Sequence, residues 1–383
     1  MELKERHYWL GFNIFPGIGP KRFYHLLKVF GSAKKAWLAS REKLQQTNIP
    51  KSLIENFLEF REKLNFSQVI LRLEKGLIRF IIIEDEEYPK NLKKIESPPP
   101  LLYIKGEILP QDSLSIAVIG TRKITPYGRE ATEKLVAGLT AHNFTIVSGL
   151  ARGVDSIAHR AALANQGRTL AVLGSGLDRI YPPENKALVE KIINLDLGAV
   201  ISELPSGTAP LKGHFPSRNR LIAGLSLGVL VTEGASVSGT KITSNFCLEQ
   251  KRKLLAVPGP ITSSFSEGPA DLIKIGAKLV TKVEDIVEEI TITQPRLPAG
   301  KAGSWPSYGK SKSGGRLNKR EIKLRFNNRE EERIWQLLTS GGKHVDEIVR
   351  EAQLSSAEVL SLLTAMELAG MVKNIGQGNY ILA

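Results

Sequence analysis

Four short glycine-rich stretches follow β-branched runs in the middle of the chain, and two of them carry an arginine. They are Gly120-Thr121-Arg122, Ser148-Gly149-Leu150-Ala151-Arg152-Gly153-Val154-Asp155, Gly174-Ser175-Gly176-Leu177-Asp178, and Glu233-Gly234-Ala235 followed by Ser238-Gly239-Thr240. Small residues at a strand-to-helix junction let backbone N–H groups approach an anion, and the helix N-terminus favours negative charge. Arg122 and Arg152 add forked donors that fit a phosphate at two points. One such turn is ordinary close packing, whereas four at successive strand ends describe a phosphate cradle. The segment Lys212-Gly213-His214-Phe215-Pro216-Ser217-Arg218-Asn219-Arg220 supplies three cations, an aromatic ring and an amide. Cations neutralise phosphates, and an aromatic face stacks a base for roughly 1–3 kcal/mol. The same segment also reads as a hydrophobic staple, Phe215-Pro216, with the arginines capping a helix or forming salt bridges.

Other chemistries fit less well. Gly174-Ser175-Gly176 continues into Leu-Asp-Arg, so the third glycine of a dinucleotide fingerprint is missing. Gly234 to Lys241 spells G-x-x-x-x-G-T-K, with Thr and Lys transposed from a P-loop, which disfavours ATP hydrolysis. His142, His159 and His214 have no ligand-like companions, so no metal and no cofactor are expected. Asp155 and His159, four residues apart on a helix, read as a structural hydrogen-bonded pair. No Ser/His/acid set stands near a nucleophile elbow, and Glu233 is the one acid near the cradle that could serve catalysis.

These loops need a scaffold, and the pattern from about 111 to 290 supplies one. Strand candidates are Ser115–Ile119, Thr145–Val147, Thr169–Leu173, Ala199–Ser202, Gly228–Thr232, Leu254–Val257 and Lys278–Val280. Helical stretches alternate with them: Gly128–His142, Val154–Asn165, Glu184–Ile193, Ser217–Ala223, Thr240–Lys251 and Asp271–Ile275. Near-continuous apolar strands between helices predict a doubly wound α/β domain with a parallel sheet covered on both faces. Ligands of such sheets bind at the carboxyl ends of the strands. Phe80–Ile83 and Leu101–Ile104 are candidates to extend the sheet.

The chain has 383 residues and a net charge of +14, with 53 Lys+Arg against 39 Asp+Glu. A polyanion partner follows as a first expectation. The charge is uneven: +6 over 1–110, +3 over 111–290, +8 over 291–325 and −3 over 326–383. A single cysteine, Cys247, excludes an intramolecular disulfide framework. No apolar run approaches the roughly 18–20 residues of a membrane span. The opening Met-Glu-Leu-Lys-Glu-Arg-His places acids where a signal peptide has a basic end, and a cytoplasmic location is expected.

Toward the ends, Gly17-Ile18-Gly19-Pro20-Lys21-Arg22 precedes Phe23, Leu26, Leu27 and Phe30 at helical spacing. A Gly-x-Gly turn between helices can aim N–H groups at a backbone phosphate, which makes Gly17, Gly19, Lys21 and Arg22 secondary DNA candidates; a plain helix–helix turn fits equally. Thr291–Arg325, rich in Gly, Pro, Ser and Lys, reads as a flexible tether or a polybasic strap on nucleic acid. The tail reads as three helices and a small hairpin, which suggests a winged helix. Its acidic balance argues for a protein-contact or regulatory role over strong duplex binding. The expected division is a helical domain 1–75, the α/β domain 76–290, a basic linker 291–327 and the winged helix 328–383.

In order and spacing, several of these stretches resemble the DprA/Smf family of bacterial DNA-processing proteins. They are Gly120-Thr121-Arg122, Ser148 to His159, Gly174 to Asp178 with Tyr181-Pro182, Phe215 to Gly224, Glu233-Gly234-Ala235 with Ser238-Gly239-Thr240, and Ala256-Val257-Pro258-Gly259. Together they cover most of 80–290. One departure is Gly268-Pro269-Ala270, where the family usually has Gly-x-Asn. The tail resembles the winged helix associated with that family. The resemblance implies an extended Rossmann-like fold, usually dimeric, that binds and protects incoming single-stranded DNA and hands it to the RecA recombinase in transformation and recombination. It implies no known catalysis, and a DNA pocket on Gly120, Arg122, Lys212, Phe215, Arg218 and Arg220.

With the strand-end reading, the candidate nucleic-acid residues are Gly120, Thr121, Arg122, Gly149, Arg152, Gly153, Lys212, Phe215, Arg218, Asn219, Arg220, Ser238, Gly239 and Thr240. Arg122, Lys212, Arg218 and Arg220 are expected on phosphates and Phe215 on a base, with Gly120, Gly149, Gly153 and Gly239 allowing close backbone approach. The alternative is a nucleotide-processing enzyme that cleaves N-glycosidic bonds, as in the lysine-decarboxylase-like Rossmann group. That group uses Gly-Gly-x-Gly-Thr-x-x-Glu, and here Thr243 stands where the Glu would be. A nucleotide or signal-ligand sensor using the same loops is a third reading.

Overall fold

The N-terminal stretch is helical because its aromatic and apolar residues recur at helical spacing and its turns carry caps. Its helices are α1 (Glu5–Ile14), α2 (Pro20–Phe30), α3 (Ala33–Trp37), α4 (Arg41–Gln45), α5 (Lys51–Lys63) and α6 (Phe66–Lys75). Pro20 opens α2 at its first position and Gly31 closes it at φ +80, a conformation that favours glycine. Ser32, Ser40 and Asn65 cap the next helices by accepting backbone N–H bonds. Inside, Phe12 stacks on Phe57 at 5.1 Å and Trp37 meets Phe57 edge-on at 5.1 Å. This computed structural model describes residues 3–236, 239–291, 329–339, 342–368, 371–376 and 379–382.

The chain then enters the sheet through β1 (Arg79–Ile82), β2 (Leu101–Gly106) and β3 (Ser115–Ile119). There follow α7 (Pro126–Ala141), β4 (Thr145–Ser148), α8 (Val154–Ala164), β5 (Thr169–Val172), α9 (Lys186–Asn194), β6 (Gly198–Ser202) and α10 (His214–Leu225). The last part is β7 (Gly228–Val231), α11 (Gly239–Glu249), β8 (Lys253–Ala256), α12 (Glu267–Lys274), β9 (Lys278–Leu279) and α13 (Val283–Thr291). Among the described residues the order is β1-β2-β6-β5-β4-β3-β7-β8-β9. From β6 to β9 every pairing is parallel, and β2 and β1 join antiparallel at the β6 edge. The two strands that precede the helix alternation thus extend the parallel sheet without needing a crossover.

The strands are apolar on both faces because both faces are covered. Ile116, Val118, Ile146, Leu230 and Leu255 pack with residues of α7, α8 and α13. The alternate residues Ala117, Ile119, Val147, Val229 and Val231 pack with α10 and α11. The N-terminal helices share one core with Tyr103, Leu173, Val200 and the α9 residues Leu188 and Ile192. Residues 1–301 therefore form one compact unit.

Residues 302–383 form a second unit. Its described elements are α14 (Arg329–Thr339), β10 (Lys343–His344), α15 (Val345–Ala352), α16 (Ser356–Leu368), β11 (Val372–Gly376) and β12 (Asn379–Leu382), with sheet order β10-β12-β11. Ile334, Ile348, Val359, Leu363 and Tyr380 are buried in its core. The hairpin expected from sequence is present, and β10 adds a short strand beyond the expected three helices and hairpin. The expected linker falls almost wholly outside the described residues. No described helix is long and apolar enough to cross a membrane.

Candidate nucleic-acid interface

Strands β3 and β7 are neighbours, and the chain winds away from them in opposite directions, β3 leading to β4 and β7 to β8. That is the topological switch point, where loops diverge and leave a crevice at the carboxyl ends. A cleft of about 750 Å³ lies at this end, lined by Gly120-Thr121-Arg122, Asp155, Tyr181, Lys212, Phe215, Arg218, Asn219, Gly239 and Thr240. The fold therefore gathers loops from β3, β4, β5 and β6 and the start of α11. Ser238 lies outside the described residues.

Arg122 and Lys212 are exposed at the cleft. The Arg122 guanidinium lies 5.9 Å from the centroid of the Phe215 ring, within cation–π range. Tyr181, 38% exposed, packs beside Phe215 with ring centroids 5.8 Å apart and planes tilted by 45°. Sequence analysis did not place Tyr181 at the site. Its one signal was the Tyr181-Pro182 dipeptide within the family-like stretch.

Two acids nearby, Glu233 and Asp155, are buried. Glu233, 2% exposed, accepts from the backbone N–H of Thr125 at 3.0 Å and from its hydroxyl at 2.5 Å, which ties β7 to the start of α7. The carbonyl of Glu233 also accepts from Thr121 N–H at 2.7 Å. Asp155, 7% exposed, accepts from the N–H groups of Gly149 and Ala151 at 3.1 and 3.4 Å. Burial raises the Asp155 carboxyl from its ordinary value, opposed by the Arg218 guanidinium and these two N–H bonds.

Arg218 differs from the expectation of an open phosphate contact. It is 6% exposed, and Nη1 donates to the carbonyls of Gly149 (2.6 Å) and Val172. Burial lowers its pKa to about 10, which still leaves it charged at neutral pH, opposite Asp155. Its Nε donates to Asn219 Oδ1 at 3.1 Å. The glycines likewise make room for the protein itself. A Cβ on Gly149 would stand 2.7 Å from the Arg218 guanidinium, and one on Gly120 would stand 2.4 Å from Val154 Cγ2. Gly153 holds φ +73, and a Cβ there would meet the Thr121 carbonyl at 2.1 Å. A Cβ on Gly239 would meet nothing within 4 Å among the described residues.

The remaining cationic candidates are paired outside the cleft lining. Arg220 pairs with Glu203 and donates to the Ser97 carbonyl at 2.9 Å, and it is not part of the cleft lining. Arg152 pairs with Glu184 at 2.5 Å on the surface beside the cleft. Near the N-terminus, Arg22 donates to the Gly17 carbonyl at 2.6 Å and Lys21 pairs with Glu96 at 3.5 Å, while Gly19 is the N-cap of α2. These cations close their own turn and strap, and the element is not part of the cleft. Asp155 and His159 do not bond to each other: His159 Nδ1 bonds to the Thr169 hydroxyl at 2.6 Å, and burial lowers its pKa to about 3. No group of three metal-ligating side chains is found among the described residues.

A family model described as DNA recombination-mediator protein A matches residues 79–291, and a DprA winged helix domain model matches 327–378. Protein Smf of Escherichia coli is 36% identical over 341 residues, covering 88% of this chain and 86% of that protein. The crystal structure of DNA processing protein A from Streptococcus pneumoniae aligns with a TM-score of 0.64 at 35% identity, over 76% of this chain and 99% of that one. A structure of the Helicobacter pylori protein, reported for its single-stranded DNA binding mode, aligns with a TM-score of 0.50 at 29% identity, over 57% and 98%.

Proposed function

The chain belongs to the DprA/Smf family of DNA recombination-mediator proteins, and on that premise we propose that it binds single-stranded DNA in the switch-point cleft. The observation that carries this reading is the sorting of charge there. Arg122 and Lys212 are exposed, whereas Asp155 and Glu233 are buried in internal bonds. The open surface is thus cationic around an aromatic corner, Phe215 with Tyr181, and such a corner stacks bases while the cations track phosphates. The Helicobacter pylori structure, reported for its single-stranded DNA binding mode, supports the same ligand.

In this reading the protein shields incoming strands, acts as a homodimer in the cytoplasm, and delivers the strand to the RecA recombinase during transformation or recombination. It has no catalytic step. Glu233, the acid that an N-glycosidic enzyme would need, holds the α7 N-terminus with its carboxylate, so no observation favours the enzyme reading. In the winged helix the Lys343 ammonium is paired with Glu351 at 2.8 Å, which makes it less available to a phosphate, and in this reading the unit contacts protein. The test is gel-shift competition on the full chain between single- and double-stranded DNA of one sequence. Preference for the single strand is expected. Equal competition by duplex, or release of free base from nucleoside monophosphates, overturns the reading.

A further inference from the structure

Helix α10 turns Phe215, Arg218, Asn219 and Ile222 toward the cleft, the i, i+3, i+4, i+7 set of one helical face. Arg220 lies about 200° around the helix from Arg218 and joins a different set of bonds. Its Nη2 pairs with the Glu203 carboxylate, its Nη1 donates to the Ser97 carbonyl at 2.9 Å, and its own carbonyl accepts from Gln250 Nε2 at 3.0 Å. The pair is well covered, with side chains 17% and 14% exposed.

Both partners of Arg220 lead to the N-terminal helices. The Glu203 carbonyl accepts from Asn13 Nδ2 of α1 at 3.2 Å, and Asn13 Oδ1 accepts from the Tyr103 hydroxyl at 2.8 Å. Ser97 belongs to the strap 96–100. Tyr24 of α2 donates to Pro98 O at 3.2 Å, and Tyr88 donates to Pro99 O at 2.7 Å. A planar guanidinium held at two points fixes direction as well as distance, whereas a lysine is a point charge on a flexible stem and fixes neither partner's direction.

We propose that Arg220 and Glu203 are positioning residues. Bridged to α1 by Asn13 and to α2 by the 96–100 strap, the pair holds α10 so that Phe215 faces the nucleic acid, and the N-terminal helices thereby set the affinity of a cleft they do not line. This rests on the single-stranded DNA reading of that cleft. A binding constellation keeps its affinity only while the shell around it holds it to within about 0.5 Å. The arrangement assigns Arg220 to that shell and not to the phosphates.

The test is fluorescence anisotropy of labelled oligothymidine on the full chain, over a range of salt, with Glu203→Gln, Arg220→Lys and Asn13→Ala. Each is expected to weaken binding about threefold to tenfold without changing the salt slope. The double variant E203Q/R220K is expected to bind no worse than the weaker single one, because both changes break one pair. A phosphate contact gives the opposite pattern. Glu203→Gln would then tighten binding by freeing a cation, and Arg220→Lys would bind as the parent does. Either of those results overturns the proposal, and parent-like binding by Asn13→Ala overturns the link to α1. Thermal melting reports folding, and loss of melting temperature with unchanged affinity in all three variants also overturns it. Arg122→Ala serves as the control: if it too binds as the parent does, the cleft reading has failed and not the positioning role.

Discussion

Replacing Arg218 with methionine separates a buried structural cation from a DNA contact. Methionine fills much of the stem's volume but removes the donors to the Gly149 and Val172 carbonyls, and it takes away the positive charge that faces the Asp155 carboxylate. Leaving those two buried carbonyls without their charged donor costs about 3–5 kcal/mol together. For a unit of about 300 residues the unfolding entropy is roughly 0.6 kcal/mol/K, so the melting temperature falls by about 5–8 °C. Adding Asp155→Asn removes that carboxylate's charge and restores part of that loss. The pH dependence has a definite sign. Burial holds the folded Asp155 pKa above its unfolded value, and removing Arg218 takes away the main opposing pull. In the window between those two values the folded variant binds more protons than the unfolded chain, so its deficit shrinks on acidification and is largest above the folded pKa. Differential scanning fluorimetry of parent, single and double variants across pH is the assay. A parent-like melting curve for Arg218→Met, together with a DNA salt slope shallower by about 0.7, would refute the reasoning, because a lost phosphate contact gives that pattern.

Arg122→Ala and Lys212→Ala each weaken oligothymidine binding and flatten its salt slope by about 0.7, read by anisotropy titrations. Tyr181→Ala lowers single-strand affinity by about 1 kcal/mol while Tyr181→Phe retains it, as a stacking role requires. Arg168→Met destabilises the unit by about 3–5 kcal/mol in a denaturant melt with little change in DNA binding. Its guanidinium holds the buried Asp112 carboxylate at 2.7 and 2.9 Å, at the opposite strand ends from the cleft.

The sequence alone determined the scaffold and the strand ends at which the candidate site lies. Runs such as Ser115–Ile119 and Gly228–Val231 are apolar at every position because both sheet faces are covered, and that signature is local. Glycine-rich turns after such runs mark the carboxyl ends, so the position of the cleft was legible in the sequence. Which cation does what was not legible. Arg218 and Arg220 are two residues apart, and about 200° of helical rotation sends one under the β4 loop and the other to Glu203. The segment before α10 has too few apolar markers to fix that rotation from spacing alone. Glu233 stood beside the glycines in sequence, yet the parallel pairing of β3 with β7 brings its carboxylate to Thr125. Tyr181 comes from the loop after β5 and meets Phe215 only because strand order brings those loops together. Local pattern specifies elements and composition, whereas side-chain partnership depends on helix rotation and strand adjacency. Only the tertiary structure decided which charges were left free for a ligand.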